Sequence, residues 1–220
     1  MGKNTLPEKE TVKQRLVEAT ARIFTAEGHD AVSMRRVATE AGCSQMAAYR
    51  HFESKEAMIQ QVCADLYQQF AARMIAEMAK TDDPWEKIHR FAAALLRFAL
   101  RYPDHYSLIF LVRHPDPKII ETREELARGF LASVRETVRL LLPPETRAAD
   151  VDAALRRMMT CAHGSMALLL AHPQPYGLNR INVLQDLATM FDLILGRVQT
   201  VRETEELNLS SGTQLNLERL

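Results

Sequence analysis

Gln45, Tyr49, Arg50, His51 and Lys55 gather an amide, a phenol, a guanidinium, an imidazole and an ammonium into one short stretch. None of these groups sits in a nucleophile–base or metal-ligand pattern. Their common chemistry is hydrogen bonding and charge pairing, which suits base edges and phosphate oxygens in a major groove. Ser33, Met34, Arg35, Ser44, Met46 and Ala47 lie close enough in sequence to share that surface.

Two short helices and a tight turn are needed to present them. Ser33 can cap a helix whose inward positions are Val37, Ala38 and Ala41, and Ser44 can cap a second helix running to Phe52. Gly42 breaks the chain between them and tolerates the left-handed conformation that such a turn requires. Ala38 and Ala41 are small where the two helices approach. This is the spacing of a helix-turn-helix, and it also fits a tight pair of solvated helices. For Arg36 and Arg50, solvated surface charge is as good a reading as contact. Phe52 reads as an apolar plug beneath the motif.

The surrounding residues narrow the choice. Tyr49-Arg50-His51-Phe52-Glu53-Ser54-Lys55-Glu56 resembles the end of the DNA-binding domain of TetR-type transcriptional regulators. Phe24-Thr25-Ala26-Glu27-Gly28 and Val37-Ala38-Thr39-Glu40-Ala41-Gly42 are similar to that family's Leu-Phe-x-x-x-Gly and Ile-Ala-x-x-Ala-Gly motifs. Met46 and Ala48 depart from the pattern, where a small residue and Leu are common. The resemblance implies that Ser33 and Met34 lie near phosphate and that Arg35 reaches toward a base edge. It places Gln45, Met46, Ala47 and Tyr49 on the groove-facing start of the recognition helix, with Tyr49, His51 and Lys55 on the DNA backbone. It further implies double-stranded operator DNA, a small-molecule effector and a homodimer, and a repressor rather than an activator.

Bulk charge gives DNA binding no support. The chain of 220 residues carries 28 Lys and Arg against 28 Asp and Glu. Any basic face must come from local placement. Three scattered cysteines without CxxC spacing suit a reducing compartment and argue against a disulfide framework or structural zinc. No apolar run reaches the roughly 20 residues that span a bilayer, so a cytoplasmic protein with no membrane partner is expected. No nucleophile elbow, phosphate loop or cofactor motif is present, and an enzyme is not expected. The competing readings are an interaction module that keeps the fold without binding DNA, and an all-α enzyme.

The apolar periodicity is helical throughout, and no stretch alternates with period two. It predicts an all-α chain of about nine helices: 10–27, two in the motif, 54–80, 84–102, 104–112, 118–142, 147–172 and 179–202. The division expected is a three-helix DNA-binding domain at 9–69, a helical ligand-binding and dimerisation domain at 70–202, and a loose tail at 203–220. A polar arm precedes the first helix, with Lys3 and Lys9 in reach of phosphate. The helix from 54 reads as the connector.

Phe91, Leu95, Phe98, Tyr102, Tyr106 and Phe110, with Met158, Met159, His163 and Met166, fall on related helical faces. They make a candidate apolar effector cavity, with plain core packing as the alternative. In the last helix, Leu184, Ala188, Phe191, Leu195 and Val198 mark a stripe, with Ile181, that is expected to join its partner's in a four-helix dimer interface.

Overall fold

The computed structural model describes residues 11–112 and 117–196. The expected N-terminal arm, the tail from 203 and Val198 lie outside the described residues. Those described are all-α, with nine helices and no strand among them: α1 (Val12–Glu27), α2 (Met34–Glu40), α3 (Gln45–His51), α4 (Lys55–Met78), α5 (Pro84–Arg101), α6 (Pro103–Tyr106), α7 (Pro117–Leu141), α8 (Ala148–Ala171) and α9 (Arg180–Ile194). They form two compact units whose boundaries fall inside α4, α5 and α7. The first holds residues up to Met74 together with Arg97–Phe130. The second holds Ile75–Leu96 and the residues from Leu131 onward.

Helix ends follow local chemistry. Thr11 caps α1 in a reciprocal capping box with Gln14: the Thr11 Oγ1 accepts from the Gln14 N–H at 3.2 Å, and the Gln14 Oε1 accepts from the Thr11 N–H at 2.7 Å. Asn179 and Asn182 repeat the device at the start of α9. At the far end of α7, the Arg139 guanidinium donates to the carbonyls of Leu142, Pro143 and Pro144, satisfying groups the helix leaves open. Pro103 opens α6, and a single π-helical turn at Ser107–Leu111 follows it.

In the first unit, α1, α2, α3 and the start of α4 pack around Leu16, Ile23, Phe24, Val37, Ala48, Phe52 and Met58. Farther along α4, Phe70 lies at the centre of an aromatic cluster. Its ring centroid is 5.1 Å from Phe98, 5.0 Å from Phe110 and 5.5 Å from Phe130, each edge to face, the favoured arrangement for ring quadrupoles. In the second unit, α8 packs on α9. Val151, Met158, Ala162, Met166, Val183, Leu187 and Phe191 are buried there. His89 of α5 meets Asp192 of α9 at 2.9 Å, and Arg135 of α7 meets Asp152 of α8 at 2.6 Å.

Two expectations for α9 need correction. The helix ends at Ile194 rather than near residue 202, because Gly196 adopts a φ of +83° and turns the chain out of the helix. Phe191 and Leu195, expected in a dimer seam, are buried in the chain's own core, with Phe191 at 0% exposure. They follow Val183 and Leu187 at four-residue intervals, and that row is the one turned inward. Leu184 and Ala188 stay half-buried beside it, and Ile181 is 65% exposed.

α3 has only seven residues, so its cap matters. The Ser44 Oγ accepts from the Ala47 N–H at 3.1 Å. Ser44→Ala is expected to lower stability by about 1 kcal/mol, without changing the surface exposed on unfolding. Urea unfolding checks this: the midpoint should fall and the m-value should hold.

Candidate nucleic-acid interface

The turn between α2 and α3 is built from backbone bonds. The Cys43 N–H donates to the Ala38 carbonyl at 2.9 Å and the Gly42 N–H to the Thr39 carbonyl at 3.1 Å, with Gly42 at φ +63°. This Schellman closure uses the left-handed residue that glycine supplies without strain. Ala48 is at 0% exposure, so its missing bulk lets α3 sit close on its neighbours. The departure from a bulkier residue there is accommodated by close packing.

With α3 seated in this way, its outer face carries Gln45, Met46, Tyr49, Arg50 and His51, all exposed, and Met46 reaches 68%. Ala47 is half-buried at the margin. Ser33 and Arg35 are exposed at the start of α2, and Lys55 is half-buried at the start of α4. Both cap hydroxyls accept from backbone amides, Ser33 from Arg36 and Ser44 from Ala47. Each keeps its O–H free to donate to an oxygen outside the protein. The Ser54 Oγ caps α4 by accepting from the Ala57 N–H at 3.0 Å, so Lys55 sits where a helix N-terminus adds its partial positive charge.

Met34 does not belong to this surface. It is 5% exposed and turned into the core beneath α2, and not near phosphate as the resemblance implies. The thioether fills apolar space that a phosphate contact would have left empty.

The cations around the motif divide into two groups. Arg22 pairs with Glu40 at 2.7 Å, Lys13 with Asp65 at 3.0 Å, and the Arg36 Nη1 donates to Glu27 at 2.8 Å. The Arg36 bond holds the Glu27 carboxyl below its ordinary range. Arg35, Arg50 and Lys55 make no ion pair among the described residues. The neutralised charges tie α1 to α2 and α4, whereas Arg35, Arg50 and Lys55 lie at the starts of α2 and α4 and on α3. Arg15 of α1, also without an ion pair among the described residues, lies against the Gly42 turn with its Nε buried. Sequence counting alone could not make this division, because the partners are far apart in the chain.

The expected effector residues fall in separate units. Phe98, Tyr102, Tyr106 and Phe110 are in the first, where Phe98 and Tyr106 are buried and Tyr102 and Phe110 half-buried. Phe91, Leu95, Met158, Met159, His163 and Met166 are in the second, where all but Met159 and His163 are buried. Burial lowers the His163 pKa to about 4, so the ring is neutral at physiological pH. Between pH 6.5 and 4 the unfolded chain takes up a proton on this ring and the folded chain does not. Stability therefore falls on acidification through that window, by about 3 kcal/mol at full shift. His163→Gln is expected to flatten that part of the curve, which urea midpoints at pH 7 and pH 4 for both proteins would measure. Among the described residues, no group of three His, Cys, Asp or Glu side chains is placed to hold a metal ion. No helix among them is long and apolar enough to cross a membrane.

The chain matches known proteins at both ends. Residues 16–62 match the family model of bacterial regulatory proteins, tetR family, and residues 88–197 match the tetracyclin repressor-like C-terminal domain. Over 64 residues the chain is 33% identical to the HTH-type transcriptional regulator SrpR of Pseudomonas putida, covering 29% of this chain and 30% of that one. The chain spans less than two thirds of the length of the curated relatives it matches. Its fold is similar to that of the fatty acid degradation regulator FadR of Bacillus halodurans, with a TM-score of 0.72 at 13% identity over 86% of this chain and 97% of that one. It is also similar to FadR of Bacillus subtilis, solved with stearoyl-CoA, with a TM-score of 0.68 at 14% identity over 82% of this chain and 96% of that one. The first match covers the whole helix-turn-helix and the second half of the chain, and on these grounds the chain belongs to the TetR family of transcription regulators.

Proposed function

We propose that this regulator is a homodimeric repressor that reads operator DNA with α3 and is released by a small, largely apolar effector. The observation that carries the DNA reading is the placement of charge. The unpaired cations Arg35, Arg50 and Lys55 accompany the exposed Gln45, Met46, Tyr49 and His51, while Ser33 and Ser44 keep free hydroxyl donors. In this reading Gln45, Met46 and Arg35 meet base edges, with Ala47 at the margin, and the remainder hold the DNA backbone. Met46 suits a thymine methyl. The site of action is the cytoplasm, where the operator is.

Dimer formation by the last two helices is supported by what α9 leaves uncovered. With Phe191 and Leu195 assigned to the core, Ile181, Leu184 and Ala188 are the residues proposed for the seam. For the effector we propose contact in the second unit with Phe91, Leu95, Met158, Met159, His163 and Met166. Polarisable thioethers around one neutral imidazole suit an apolar ligand with a single hydrogen-bonding group. The stearoyl-CoA seen with FadR of Bacillus subtilis has an apolar body of this kind in its acyl chain, joined there to a highly charged CoA group.

Selection from a randomised duplex pool tests the reading. It should enrich a palindrome whose half-sites lie roughly 34 Å apart, or a multiple of that, as two linked heads require. An effector found by thermal shift must then bind operator-bound protein more weakly by the factor by which it weakens operator binding, roughly 5–150-fold for a coupling of about 1–3 kcal/mol. A pool that enriches nothing would overturn the DNA reading.

A further inference from the structure

We propose that the first unit holds a second ligand site, distinct from the proposed effector contacts, for a small carboxylate with an apolar body. A cavity of about 420 Å³ opens between α1, α4 and the turn from α5 into α6. That volume lies within the range of small-molecule sites. Val17, Leu66 and Phe98 are buried and give it an apolar floor.

The charge around the cavity selects the ligand. Lys13 and Asp65 cancel each other at 3.0 Å, and Glu18 and His105 meet at 2.8 Å. Arg73 is left over. Its guanidinium carbon lies 4.7 Å from the Tyr102 ring centroid, and no carboxylate pairs with it among the described residues. Stacking uses the face of the guanidinium and leaves its in-plane N–H fork for a carboxylate. Tyr102 is itself held by His105, stacked at 5.4 Å with 5° between the planes, so the platform is fixed before any ligand arrives. A cation would meet Arg73 unfavourably, and a neutral ligand would leave its fork unused.

The site also touches α1, the helix that packs against α2 and α3 of the motif. Glu18 of α1 bonds His105 of α6, and the Thr25 hydroxyl of α1 donates to the Asp104 carbonyl at 3.2 Å. A ligand seated here contacts α1 and α6 together, so its binding is linked to how α1 is held.

Calorimetric titration of the full chain with 2-naphthoate, decanoate and 2-naphthamide tests the site. At least one of the two carboxylates should bind saturably, one per chain, and which of them binds tells an aryl body from an acyl one. The amide should bind at least tenfold more weakly than the better carboxylate. Arg73→Gln should lose at least tenfold in affinity, with its helical circular dichroism and melting temperature unchanged, and Arg73→Lys should lose less. If Arg73→Gln proves unstable, the amide comparison and Arg73→Lys still decide. Absence of binding by both carboxylates, equal binding of the amide, or wild-type affinity in a folded Arg73→Gln protein would each overturn the proposal.

Discussion

Phe191→Glu is expected to leave the second unit unfolded, whereas Ala188→Glu, three residues earlier on the same helix, is expected to fold and to open the dimer. Phe191 has no exposure and sits in the row with Val183, Leu187 and Leu195. Replacing it removes an aromatic side chain, a loss of about 3–5 kcal/mol, and forces a carboxylate into apolar surroundings at a further cost. Together these approach the roughly 5–15 kcal/mol that holds a domain folded. Ala188 is half-buried at the edge of that row, where a longer acidic side chain can turn to solvent in an isolated chain. In a dimer it would be trapped in the seam. Circular dichroism should show lost helix for Phe191→Glu and retained helix for Ala188→Glu, and sedimentation should show the latter as a monomer. A dimeric Ala188→Glu protein, supported by a dimeric Ile181→Glu protein, would place the interface elsewhere.

That contrast also shows where the sequence was legible. Helical periodicity shows that α9 is apolar on more than one side, but not which row meets its own chain. That choice depends on α8 and α5, whose packing no local pattern encodes. Periodicity places the end of α9 too late because the apolar repeat continues through Gly196, and only the positive φ there reveals the stop. The motif was far more readable. Two serine caps, one glycine in the turn and small residues at the helix contact are all local signals, and all appear in the structure.

Met34 differs between sequence and structure because the first residue of a short helix can face either way, and its direction is set by the core beneath it. The Glu18–His105 bond spans 87 residues and leaves no trace in either local sequence. Its effect is on Glu18, whose carboxyl is held below the usual range chiefly by the hydrogen bond from His105. That contribution is present above the ordinary carboxylate pKa and is lost as pH falls through the lowered one.

The largest functional effects are expected on α3 and the start of α4. Lys55→Ala removes a cation at a helix N-terminus, so it should weaken binding to every duplex and make the salt dependence shallower by about one unit per subunit. Tyr49→Ala should also weaken binding to all sequences, but its phenol is uncharged, so the slope should hold. Gln45 is exposed at the first position of α3, where an amide can pair with a base edge. Gln45→Ala should cost about 1–3 kcal/mol on the preferred site and relax the choice of base at one position in each half-site.

Fluorescence anisotropy on the selected duplex shows whether α2 and α3 bind DNA. The affinities of the wild type, Lys55→Ala, Tyr49→Ala and Gln45→Ala would be compared between about 50 and 200 mM salt, where phosphate contacts make affinity fall steeply. The expected result is a straight log–log decline for the wild type, a shallower one for Lys55→Ala, a parallel but weaker one for Tyr49→Ala, and altered base preference for Gln45→Ala. Three variants that bind with wild-type affinity, slope and sequence preference would contradict it.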